Sequence, residues 1–146
     1  MCSDFVKSTS SGKNFKCKNS STTCDSLWVI YVISYPVCQL QYVGRSNNFR
    51  LRINGHKSDF RLYRAGTSNK LDSKILYDHL ILHNCESFKV QIVDCIFKAN
   101  GNKGTLEKLL MKKEREWIWR LVTVSPNGLN MDDGFYCQNK HFRKVR

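Results

Sequence analysis

The run LWVIYVI, Leu27 to Ile33, constrains the fold more than any other stretch of this chain. It carries no charge and is rich in β-branched and aromatic side chains, so it reads as a buried strand. Tyr35 and Pro36 end it. Gln39 to Gly44, QLQYVG, alternates polar with apolar residues and reads as a second strand, paired with the first in a hairpin. Ser46, Asn47 and Asn48 are good capping residues, so a helix is expected from about Asn48 to Lys57, with Phe49 and Ile53 as its buried stripe. After a GTSN loop (Gly66 to Asn69), LDSKILYDHLILHN repeats apolar positions at helical spacing: Leu71, Ile75, Leu76, His79 and Leu80. Phe88 to Ile96 alternates and reads as a third strand. ANGNKG is a turn cluster, and Thr105 to Val122 is a long amphipathic helix closed by SPNGLN, Ser125 to Asn130. The order β-β-α-α-β-α predicts an α+β domain, a small sheet with helices packed on it.

The chain has 146 residues, enough for one core and not for two. Twenty-four basic residues against twelve acidic ones leave a formal charge of +12. That excess attracts polyanions such as DNA or RNA. It is concentrated in Arg45, Arg50, Arg52, Lys57, Arg61, Arg64, Lys70 and Lys74, opposed only by Asp59 and Asp72. Arg45, Arg50, Lys57 and Arg61 are the candidate nucleic-acid contacts. Seven cysteines are an odd number, and the polar start MCSDFVKSTSSGKNFK has no apolar leader. Reduced thiols or a metal site are therefore expected, in an intracellular setting, rather than a disulfide framework. No apolar run approaches the ~18 residues of a membrane span. Residues 1–23 are expected to be a flexible polar segment, 24–132 the folded domain and 133–146 a basic tail. The HFRKVR within that tail suits nuclear import or a DNA-binding arm.

Several residues have the chemistry for a site. In TLEKLLMKKEREWIWRLV, Glu114 lies four after Leu110 and four before Ile118, on the apolar face. It either reaches out to water or is held inward, where it would suit a hard cation. Glu116, between Lys112 and Arg120, looks like a solvent ion pair. Arg52 and His56 share one helix face. They are either a solvated basic surface or a phosphate-binding guanidinium beside a proton-carrying imidazole. Tyr31 and Tyr42, taken singly, read as core tyrosines.

Taken together, these residues resemble the GIY-YIG nuclease family. VIY at Val29 to Tyr31, then YVG at Tyr42 to Gly44, resembles the paired signature, with Val29 in place of the family's first glycine. An Arg-x-x-x-His helix follows, Arg52 and His56. Then comes a helix glutamate three before an aromatic–isoleucine pair, Glu114 before Trp117 and Ile118, and a turn ending in asparagine, Asn130. The resemblance implies a three-stranded antiparallel sheet flanked by helices. It also implies metal-dependent hydrolysis of a DNA phosphodiester, leaving a 3′-hydroxyl. In that reading Glu114 holds Mg²⁺ or Mn²⁺ and Arg52 stabilises the phosphoryl oxygens. Tyr31, aided by Tyr42 or His56, orients or deprotonates water, Asn130 positions its neighbours, and Gly44 allows a tight turn before the Arg52 helix. Glu107, two turns before Glu114, is the rival carboxylate. Within the family, Val29, the placement of Cys24 and Cys38, and the pair His79 and His83 are most similar to Penelope-like retroelement members. That similarity implies a zinc site from those four residues and a reverse transcriptase as partner. A catalytically inactive nucleic-acid-binding module of the same fold is the alternative.

Overall fold

The computed structural model describes residues 3–36, 38–66, 74–82, 88–96 and 101–130. In chain order these form β1 (Phe5–Lys7), β2 (Asn14–Lys16), β3 (Leu27–Ser34), β4 (Gln41–Asn48), α1 (Phe49–Arg64), α2 (Lys74–Leu82), β5 (Lys89–Cys95) and α3 (Lys103–Leu121). The main sheet is antiparallel throughout, in the order β4-β3-β5. The expected α+β class and three-stranded antiparallel sheet are what the chain adopts.

The sheet is covered on both faces. Val29, Tyr31 and Ile33 pack with Phe49, Tyr77 and Ile92 on the α1 and α2 side. Ile30, Val32, Val43 and Val93 pack with Leu110, Trp117, Ile118 and Leu121 of α3 on the other. This is why β3 is apolar from Leu27 to Ile33: both faces of the central strand are packed. The outer strand β4 is shielded only in part: Tyr42 and Arg45 are half-buried and Asn47 is exposed.

Three elements differ in extent from the sequence reading. Strand β4 continues to Asn48, because Leu27 pairs with Asn48 and the ladder runs the whole length of β3. Of the three expected capping residues only Asn48 caps α1, its side chain accepting from the Leu51 amide at 3.2 Å. Helix α1 runs past Lys57 to Arg64. Phe60 and Tyr63 on that extra stretch pack on Tyr77 of α2, with ring centroids 5.9 and 5.3 Å apart. Helix α3 starts two residues early because Asn102 caps it, accepting from the Thr105 amide at 2.8 Å.

The expected loose N-terminal segment is instead ordered over its described part. Strands β1 and β2 form a hairpin, and Val6 and Cys17 are buried against the α3 face. Polar groups supply the attachment that composition hides. The Lys18 amide donates to the Val93 carbonyl at 2.8 Å, and Asn19 Nδ2 to the Ile92 carbonyl at 2.7 Å. Ser8 Oγ donates to the Leu121 carbonyl at 2.6 Å. The segment thus occupies the otherwise open edge of β5 and the C-terminal end of α3. The basic tail lies outside the described residues.

Candidate active site

Antiparallel pairing places Tyr31 of β3 opposite Gly44 of β4. Tyr31 is fully buried, with its ring edge-on to Phe49 at 5.8 Å. A Cβ on Gly44 would lie 2.4 Å from both Cζ and the hydroxyl oxygen of Tyr31. Gly44 is therefore not the turn residue expected from the sequence. It lies within the strand and makes room for a phenol that crosses its backbone.

The Tyr31 hydroxyl is 2.8 Å from His56 Nε2, and Arg52 Nε donates to the same oxygen at 3.4 Å. The phenolic oxygen can accept from Arg52 and still donate its own proton to Nε2, and in that arrangement the imidazole carries its proton on Nδ1. His56 is buried, edge-on to the rings of both Tyr31 and Tyr42. It stands behind the tyrosines rather than beside Arg52 at the surface. It is hydrogen-bonded to Tyr31, through which it can act on a substrate.

Burial pushes the Tyr31 pKa up to about 12, with the Arg52 charge pulling the other way and the Glu114 charge adding to the rise. Burial also raises Tyr42, with Tyr31, Glu114 and Arg52 as further influences. Burial works against the Arg52 charge, but Tyr31 and Tyr42 outweigh it and its pKa rises. Near neutral pH Tyr31 is a hydroxyl, not a phenolate. Its reach as a base depends on passing its own proton to His56.

The raised pKa has a consequence for stability. An unfolded tyrosine ionises near pH 10, so the native state's advantage is complete below pH 10 and is lost as pH rises through about 12. For Tyr31 alone the loss is roughly 3 kcal/mol. The urea midpoint should fall between pH 10 and 12, and fall less in Tyr31→Phe. Parallel curves for the two proteins would show that Tyr31 is not the group responsible.

Glu114 reaches the same place from the opposite face of the sheet. By strand alternation Arg45 sits with Val43 on the α3 side, and its Nη1 is paired with Glu114 Oε2. Glu114 is largely buried, and its charge is felt at both Tyr31 and Tyr42. Glu107 is exposed. The β4 edge thus receives Arg52 from α1 on one face of the sheet and Glu114 from α3 on the other, near enough for the Glu114 charge to act on Tyr31 and Tyr42. Asn130 secures that edge. Its Oδ1 accepts from the Val43 amide at 2.9 Å and from Thr123 Oγ1 at 2.8 Å, and its Nδ2 donates to the Val43 carbonyl at 2.8 Å.

Other expected residues lie elsewhere. Arg50 pairs with Asp25 at 2.6 Å on the surface. Lys57 and Arg61 line a groove of about 590 Å³ with Phe60, Phe88 and Val90, on the β5 side of α1. The four expected nucleic-acid contacts are therefore spread over separate places. Glu116 is exposed as expected, but the Arg120 guanidinium lies 5.0 Å over the Trp117 ring.

The zinc quartet is not assembled among the described residues. Cys38 Sγ and His79 Nε2 are brought to 2.6 Å. Cys24, however, precedes Leu27, at the end of the hairpin where Leu27 pairs with Asn48, whereas Cys38 follows Ser34 at the other end. An eight-residue strand separates them by about 26 Å. Cys17 cannot replace it, because it is buried on the α3 face. His83 lies outside the described residues. No group of three or more His, Cys, Asp or Glu side chains suited to a metal occurs among the described residues.

Two features escaped the sequence reading. Arg45 was assigned to nucleic acid, although alternation from Val43 already turned it toward α3. Asp94 is a buried acid in the apolar strand β5 and accepts from Trp117 Nε1 at 2.9 Å. An acid inside FKVQIVDCI was the signal available for it.

Comparison with known proteins agrees with this fold. Among solved structures, the chain is similar to the catalytic domain of intron endonuclease I-TevI, in a mutant form, with 23% identity and a TM-score of 0.50. The likeness covers 71% of this chain and 92% of that one, and it speaks for the fold. A search of curated proteins finds no match. The family model for the GIY-YIG catalytic domain matches residues 27–121, which run from the first residue of β3 to the last of α3. That span is well over half of the chain and holds Tyr31, Tyr42, Gly44, Arg52, His56 and Glu114, so the chain belongs to the GIY-YIG catalytic domain family.

Proposed function

We propose that this GIY-YIG nuclease domain is a metal-dependent DNA endonuclease that nicks one strand at a time. The observation that carries the reading is the convergence on the β4 edge: Arg52 donates to the Tyr31 hydroxyl, and the largely buried Glu114, paired with Arg45 of β4, is near enough for its charge to act on Tyr31. The +12 charge supports a nucleic-acid substrate, and one copy of the Tyr31, Arg52 and Glu114 set supports a single cut.

The residues fit a hard divalent cation. Mg²⁺ is commonly held by one or two carboxylates, with water and phosphate oxygens completing its shell. Glu114 offers one such carboxylate on an otherwise apolar helix face, and it would hold Mg²⁺ or Mn²⁺. When bound, the cation supplies Lewis-acid polarisation of the scissile phosphate. Arg52 binds the phosphoryl oxygens and offsets the negative charge that develops on them. Tyr31 aligns the attacking water. As a water proton passes to the Tyr31 oxygen, the phenolic proton passes to His56 Nε2. The phosphorus–oxygen bond breaks to leave a 5′-phosphate and a 3′-hydroxyl, with the departing oxygen protonated from solvent. Within the family, Val29 at the first glycine position and the Cys38–His79 contact support a Penelope-like origin beside a reverse transcriptase.

One observation favours the rival, a binding-only module. The Arg45–Glu114 pair neutralises the carboxylate without any cation. Supercoiled plasmid separates the two. The enzyme reading expects open circles in magnesium and none in EDTA. A plasmid that is bound and gel-shifted but stays supercoiled under both conditions would leave only the binding module.

A further inference from the structure

Helix α3 is tied to both edges of the sheet by consecutive residues. Glu114 pairs with Arg45 on β4, while Lys113 Nζ donates to Asp94 Oδ1 on β5 at 3.2 Å. One turn on, Trp117 Nε1 donates to Asp94 Oδ2 at 2.9 Å, and the Cys95 amide donates to Oδ1 at 2.8 Å. Asp94 is 1% exposed. A carboxylate that deep is costly unless it is matched, and here both oxygens are.

We propose that Asp94 is a positioning residue for phosphodiester cleavage: by holding Lys113 and Trp117 it fixes the roll of α3, and so the place of the Glu114 carboxylate. The inference rests on the nuclease reading, in which Glu114 holds the divalent cation. Two anchors at i and i+4 define both the rotation of a helix and its position along its axis, which one anchor cannot do. Side-chain ends lie about 5–6 Å from the axis, so a roll of about 20° carries the Glu114 carboxylate about 2 Å. A misplacement of about 1 Å can cost on the order of 100-fold in rate. Asp94 itself is on β5, on the other side of β3 from β4, and touches no substrate. Its effect is exerted through the helix.

The test is Asp94→Asn, which keeps the shape and one acceptor but removes the charge that draws in Lys113. Mn²⁺ binding to the folded protein on an uncleavable phosphorothioate duplex, followed by electron paramagnetic resonance, is read beside the cleavage rate. Asp94→Asn should weaken Mn²⁺ binding and raise the half-saturating Mn²⁺ for cleavage about 10-fold, with duplex affinity in EDTA unchanged. Trp117→Phe keeps the buried ring and removes only the indole N–H. It should shift both readouts in the same direction by about 3-fold, and it decides the matter if Asp94→Asn does not fold. A variant that melts earlier but binds Mn²⁺ and cleaves as the wild type does would overturn the proposal, since Asp94 would then be scaffold alone. Glu114→Gln serves as the reference. If it retains the Mn²⁺ signal, the cation is not on Glu114, and the metal-site assignment within the nuclease reading fails before the positioning role is reached.

Discussion

Glu114→Gln is expected to lower plasmid nicking by about 1,000-fold or more while leaving DNA binding as strong as before or slightly stronger. The substitution is isosteric, so the packing of α3 around Leu110, Trp117 and Ile118 is retained. What it removes is the charge that would hold a divalent cation. The same carboxylate repels phosphate when no cation intervenes, so losing it does not weaken the grip on the duplex. Arg45, released from its ion pair, becomes available to the backbone. Glu107 provides the control. It is exposed, and Glu107→Gln should nick within about twofold of wild type, as expected for a surface change. A Glu114→Gln protein that still nicks, or a Glu107→Gln protein that does not, would falsify the assignment of the metal-holding carboxylate.

Gly44→Ala is expected to be nearly as damaging to cleavage, though the added methyl carries no chemistry. Its Cβ would lie 2.4 Å from the Cζ and hydroxyl oxygen of Tyr31. The phenol has little freedom to withdraw, because it is buried against Phe49 and tied to His56. Either the ring or the strand must move by about 1 Å, which by the cost of misplaced groups predicts roughly 100-fold slower nicking. Overpacking of a filled site should also cost about 1–3 kcal/mol of stability, read as a lower urea midpoint. Gly55→Ala is the matched control. Gly55 is inside α1, and nothing lies within 4 Å of where its Cβ would be. There alanine should raise stability by about 0.5–1 kcal/mol. Gly44→Ala with wild-type nicking would show that the alignment of Tyr31 is not needed for the reaction.

The sequence by itself determined the kinds and order of the main elements. Their signals are local: the all-apolar run of β3, the alternation of β5, and the 3.6-residue period of α3. It also placed Glu114 on the buried face of α3, because helical spacing alone assigns a residue to a face. Extents were less legible. The polar end of β4, Arg45 to Asn48, looks like a helix entrance until its partner strand is in place, since pairing and not propensity carries the ladder to Asn48. The N-terminal hairpin was hidden for a related reason. Its attachment is made by backbone and amide hydrogen bonds to β5 and α3, and such bonds leave no hydrophobic period in the chain.

Only the tertiary structure decided which charges meet. Arg45 and Glu114 are brought together by two elements on one face of the sheet, and Asp94 is matched by Lys113 and Trp117 on a helix that follows it in the chain. Cys24 and Cys38 match a spacing, yet lie at opposite ends of a hairpin. Pairings across a sheet depend on register and on how a helix is rolled over it, and these are set by the packing of the whole core. A list of residues fixes what chemistry is available to this chain. The distance between a carboxylate on α3 and a guanidinium on α1 exists only once both helices are packed on opposite faces of the same three strands.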